Sequence, residues 1–107
     1  MPSTAITTAQ ITTAGNIAYA SIGNSAVTYM TLCNYTSGNI TANVYVVPSG
    51  NTLGNTNITF ANLDLSPYET YQLYQAAEKL LLANGDSIQV SANANSAVTT
   101  VVTYTSI

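Results

Sequence analysis

Residues 40–47, Ile-Thr-Ala-Asn-Val-Tyr-Val-Val, alternate so that Ile40, Ala42, Val44 and Val46 fall on one side and Thr41, Asn43 and Tyr45 on the other. Only an extended chain turns successive side chains to opposite faces, so this segment is a strand with one buried face. The same period runs through most of the sequence. Residues 5–13 are a Thr/Ile/Ala run closed by Gly15-Asn16, and residues 16–22 lead to a turn at Gly23-Asn24-Ser25. Residues 26–35 place Thr28, Met30, Leu32 and Asn34 opposite Val27, Tyr29, Thr31, Cys33 and Tyr35. Ser37-Gly38-Asn39 makes a turn, and the stretch from Pro48 to Gly54 reads as a loop because one Pro and two Gly punctuate it. Residues 57–63, 68–74, 87–92 and 97–105 complete the set of strands.

Seven to eight short strands at regular spacing, with no long helical pattern, specify an antiparallel β-sandwich or small barrel. No linker divides residues 1–107, so one domain is expected. One piece breaks the alternation. Glu78-Lys-Leu-Leu-Leu82, preceded by Ala76-Ala77 and followed by Asn84-Gly85, reads as a helical turn over residues 78–83. Strand parity assigns Met30, Leu32, Val44, Val46, Ile88, Val90, Val98 and Val102 to the core.

Charge narrows the function. Only 5% of the 107 residues are charged, against about a quarter in ordinary globular proteins. All five charges lie in the second half, at Asp64, Glu69, Glu78, Lys79 and Asp86. Disorder is the wrong reading, since the chain is rich in Thr, Val, Ile and Tyr. A neutral surface suits a protein wedged among protein neighbours, because a free monomer relies on charge to stay apart from its copies. One Lys and a net charge of −3 argue against nucleic acid and anionic membranes. Met1-Pro2-Ser3-Thr4 has no charged n-region, so no signal peptide is expected.

Chemistry is sparse. No His is present, which removes imidazole catalysis and His-bearing metal sites. A Cys33 nucleophile lacks a His base, so Cys33 reads as a small strand residue. Asp64, Glu69, Glu78 and Asp86 are the candidates for a paired-carboxylate site, with structural roles the stronger reading; Asp86, after Asn84-Gly85, reads as a turn brace. No enzyme activity, cofactor or metal is expected. The Asn-x-Thr triplets at Asn34, Asn39 and Asn57 read as products of composition. Eight Tyr against no Trp point to contacts, and Tyr68, Tyr71 and Tyr74 cluster within seven residues. They are the candidate protein-contact residues, with ordinary strand packing as the competing reading.

Several stretches carry a resemblance: Val27-Thr-Tyr-Met-Thr-Leu-Cys-Asn34, Asn43-Val-Tyr-Val-Val-Pro-Ser-Gly50, Tyr71-Gln-Leu-Tyr74, Glu78-Lys-Leu-Leu-Leu-Ala-Asn-Gly-Asp-Ser-Ile88 and Val98-Thr-Thr-Val-Val-Thr-Tyr104. Together they resemble small structural proteins of tailed bacteriophages, especially cyanophages. The resemblance implies an immunoglobulin-like sandwich in the virion, made in the host cytoplasm. It implies a capsid decoration or cement protein, or a neck, tail or baseplate component. Expected partners are other copies of itself and phage structural proteins, the major capsid protein first among them. A carbohydrate-binding module on a receptor-binding fibre is the alternative from another class. Residues 1–15 are open to two readings, a first strand or an arm reaching to a neighbour.

Overall fold

The structure is a computed structural model that describes residues 4–74 and 80–107. Among the described residues nine strands run in the order β1 (Thr4–Gln10), β2 (Asn16–Ala20), β3 (Ser25–Asn34), β4 (Ile40–Val47), β5 (Ile58–Leu65), β6 (Thr70–Leu73), β7 (Leu80–Leu82), β8 (Ser87–Ala92) and β9 (Val98–Ser106). They form two antiparallel sheets packed face to face. The first sheet has the order β1-β9-β3-β6, with β7 pairing the start of β3, and the second has the order β2-β8-β4-β5.

The pairing follows from how the chain folds back on itself. Strand β1 pairs β9, β2 pairs β8, β3 pairs β6 and β4 pairs β5. The chain is thus one long hairpin whose arms are rolled up until β3 meets β9 and β4 meets β8. That wrapping defines a jelly roll, a double-sheet way of limiting exposed edges. The β-sandwich is the expected class. Its strand order departs from the immunoglobulin pattern, in which the first two strands of the chain lie side by side; here the first strand lies beside the last.

Alternating side chains from both sheets meet in one core. Met30, Leu32, Val98 and Val102 come from the first sheet, and Val44, Ile88 and Val90 from the second, all fully buried as parity required. Val46 packs against this cluster but keeps some exposure, while its neighbours Tyr45 and Val47 are buried, so strict alternation is lost at this end of β4. Register shifts in β2, β3 and β5 change parity locally. An extra residue in β3 between Val27 and Tyr29 turns both Val27 and Met30 inward, three positions apart. In β5, two register shifts bend the strand around Asn62, whose φ is 54°.

The expected helical turn is reached only in part. Residues 78 and 79 lie outside the described residues. Leu80–Leu82 is extended, not helical: it pairs Ser25–Val27, the part of β3 that β6 leaves free. Leu82 is buried, Leu81 is 67% exposed and Leu80 packs on the core, so the triplet follows the strand period. Its Leu residues are good helix formers, but a vacant strand edge overrides a propensity of a few tenths of a kcal/mol. The arm reading of residues 1–15 is likewise corrected over residues 4–10, which form an edge strand of the sandwich itself, followed by the fully buried Ile11.

Candidate contact surface

Polar groups inside the sandwich are spent on holding turns. Asn34 is fully buried. Its Nδ2 donates to the carbonyls of Gly38 at 2.8 Å, Leu65 at 3.1 Å and Ser66 at 3.1 Å. Its Oδ1 accepts from the Thr36 N–H at 3.0 Å and the Thr36 hydroxyl at 2.7 Å. With the amide thus occupied, this Asn-x-Thr triplet offers no free nitrogen for a glycan.

Carboxylates play the same part. Asp86 accepts from the Ser49 N–H at 2.9 Å and the Ala83 N–H at 3.0 Å, bracing the reversal between β7 and β8. Gly85 sits at φ 88°, and a Cβ there would collide with Ser49. Glu69 accepts from the Ser66 N–H at 2.7 Å and closes the β5–β6 turn. Among the described residues no cluster of three His, Cys, Asp or Glu side chains forms. Cys33 stands half-buried on the outer face of the first sheet, opposite Thr99 and Thr70.

The tyrosine cluster divides. Tyr68 is 69% exposed in the β5–β6 turn at φ 59°, and Tyr71 is 36% exposed on the edge strand β6. Tyr74 turns inward and meets Phe60 edge-on at 6.2 Å. Its hydroxyl is buried with no hydrogen-bond partner among the described residues, and desolvation raises its pKa above the ordinary phenol value. Tyr68 and Tyr71 thus remain available for contact, while Tyr74 is packing.

A second tyrosine pair, outside that cluster, joins the two sheets. Tyr19 of β2 stacks on Tyr104 of β9 with ring centroids 4.1 Å apart. The Tyr19 hydroxyl donates to Ser25 Oγ at 2.8 Å, and Ser25 shares a hydrogen bond of 2.6 Å with Ser21. Above this stack lies a groove of about 560 Å³ between β1 and β2, bordered by Thr7, Thr8, Ile17, Ala20 and Ile22. Its lining mixes polar and apolar groups, and its two isoleucines are uncovered: Ile17 is 57% and Ile22 88% exposed, while Ile6, outside the lining on β1, is 65% exposed.

The outer face of the first sheet continues from there without a charge. Cross-strand rows read Ile6–Thr103–Tyr29, then Thr8–Val101–Thr31–Gln72, then Gln10–Thr99–Cys33–Thr70. Sequence reasoning placed the contact residues at the tyrosines and did not single out these isoleucines. A signal was present. Ile6 and Ile11 have opposite strand parity, so a regular strand carrying both buries only one.

No protein-family model matches this chain, and no curated protein or solved structure is found similar to it. Among the described residues no helix is long and apolar enough to cross a membrane.

Proposed function

We propose that this chain is a non-enzymatic structural subunit of a protein assembly, and specifically a capsid decoration or cement protein of a tailed phage. The observation that carries the reading is the uncharged outer face of the first sheet. Three strands of that sheet, β1, β3 and β9, hold no charged residue, and their outward side chains are mostly Thr with Ile, Val, Tyr, Gln and Cys. Such a face can be desolvated against a protein at little cost, because no ion has to leave water. The resemblance to phage structural proteins supports the virion. The jelly roll agrees with it by analogy, since viral capsid proteins use this fold, though lectins use it too.

A cement protein binds the assembled shell and not its separate subunits, so it stabilises the shell by mass action. Mass spectrometry of purified particles, with copies counted per particle, tests this. Hundreds of copies are expected for a head decoration, a dozen or so would move the protein to the neck or baseplate, and none would end the reading. Particles lacking the protein should form and release DNA at lower temperature.

The exposed Tyr68 and Tyr71 favour one second reading, a carbohydrate-binding module of a receptor-binding fibre, because flat amphipathic rings stack on sugars. Binding to a glycan array that Tyr68→Ala and Tyr71→Ala abolish would select it.

A further inference from the structure

A β-sandwich must protect its sheet edges, and among the described residues four of the five edge strands do so. Strand β2 has five residues and a register shift between Ile17 and Tyr19. Strand β5 has two register shifts, a left-handed Asn62 and the carboxylate of Asp64. Strands β6 and β7 have four and three residues. Short length, bulges and charge are the devices that stop one edge from pairing with another.

Strand β1 has none of them. It runs seven residues in unbroken register with β9, from Thr4 opposite Thr105 to Gln10 opposite Thr99, and contains no charge and no Pro. The direction of its free main-chain groups follows from one bond. The N–H of Ile11 donates to the carbonyl of Val98 at 2.9 Å, so the odd-numbered residues of this stretch face β9. In an antiparallel ladder a residue's N–H and C=O point to the same side. Those of Ile6, Thr8 and Gln10 therefore point away from β9, and among the described residues no second strand pairs with β1. On that side Thr7 Oγ1 touches the Ala18 carbonyl at 2.8 Å, and the groove opens next to it.

The geometry points to β1 as a self-pairing edge: β1 of a second copy adds antiparallel to it and continues the first sheet across a two-fold axis. Chemistry selects a second copy over a charged peptide. An isologous contact places each residue against its own kind of surface, which penalises charged strands by setting like charges together. Strand β1 brings only Thr, Ala, Ile and Gln to that contact, and it offers no counter-charge to an acidic or basic ligand. The contact would also set a second strand beside Ile6 and next to the groove that Ile17 and Ile22 border, lowering the exposure of these isoleucines. This deepens the assembly reading by naming one partner, and it is tested on the purified chain alone.

Sedimentation velocity over a concentration series tests it. The full chain should pass from monomer to dimer with rising concentration. Thr8→Pro removes an N–H that faces away from β9, a loss an edge strand tolerates, and should leave a monomer. Ile6→Lys places a charge at an exposed position on the pairing edge and should do the same while melting like the parent. A parent chain that stays monomeric at millimolar concentration overturns the inference, as does a dimer that Ile6→Lys leaves intact. Virion content is a separate readout: a dimer absent from particles leaves the pairing standing and removes only the phage assignment.

Discussion

The side-chain amide of Asn34 donates to the carbonyl of Leu65 at 3.1 Å, joining the end of β3 to the end of β5 across 31 residues of chain. The same amide holds Gly38 and Ser66, so a single buried side chain ties the β3–β4 turn to the β5–β6 turn.

Asn34→Ala should be among the most damaging polar substitutions in the chain. It orphans buried carbonyls and the Thr36 N–H together, and each unmet buried group costs about 1–3 kcal/mol. The expected loss is at least about 3 kcal/mol, measured by denaturant unfolding with an unchanged slope. A loss below about 1 kcal/mol would show that water replaces the amide.

Tyr74 gives the opposite expectation. Its buried hydroxyl has no partner among the described residues, so Tyr74→Phe removes a desolvated polar group without breaking a bond to any of them. Stability at neutral pH should be unchanged or higher by up to about 1 kcal/mol. The pH dependence has a definite sign. The folded-state pKa is raised above the ordinary phenol value by desolvation, so the unfolded chain gives up this proton first. The tyrosine therefore leaves stability untouched below the unfolded pKa and erodes it as pH rises from there toward the folded one. Tyr74→Phe should lessen that alkaline loss, read from melting temperatures across the alkaline range.

The β7–β8 reversal combines two constraints. Gly85→Ala forces a Cβ onto Ser49 at φ 88°, and Asp86→Ala frees the N–H groups of Ser49 and Ala83. An unstrained Gly→Ala replacement stabilises by about 0.4–1 kcal/mol, so the sign reverses here: Gly85→Ala should cost at least about 1–3 kcal/mol. Asp86→Ala should cost about 1–3 kcal/mol. Both are checked by thermal unfolding.

Strand parity made much of this legible. Residues 40–47 and 87–92 stand in the structure with the bounds read from the sequence, because an unbroken period and flanking turn residues define both ends. Parity failed where the backbone adds a residue. A bulge at Thr28 carries no composition signal, so Val27 was read as outward although it is fully buried. Leu80–Leu82 shows the limit of propensity, since what decides it is a vacancy beside β3 that only the assembled sheet reveals. At the candidate site the tyrosines were visible as a cluster, but their division depends on the turn geometry at Tyr68 and the packing of Phe60 on Tyr74. The rolled-hairpin order was beyond reach, because short strands of similar, almost uncharged composition give no clue to which pairs with which.

The N-terminal segment supplies the sharpest test of the corrected fold. If residues 1–13 were a detachable arm, their removal would leave a stable sandwich. The structure predicts otherwise. The deletion uncovers the whole length of β9 along its β1 side and takes the fully buried Ile11 out of the core. Ile11→Ala alone should cost about 2–5 kcal/mol through lost burial and the cavity left behind. A domain of this size is stable by about 5–15 kcal/mol in all, so the deletion should leave a chain without a cooperative melt near room temperature. Ile6→Ala should cost under about 0.5 kcal/mol, because its side chain faces solvent in the monomer. Calorimetry of the three variants decides the matter: a deletion that melts like the parent returns residues 1–13 to the role of an arm, and a large loss at Ile6 with none at Ile11 would reverse the parity assigned to β1.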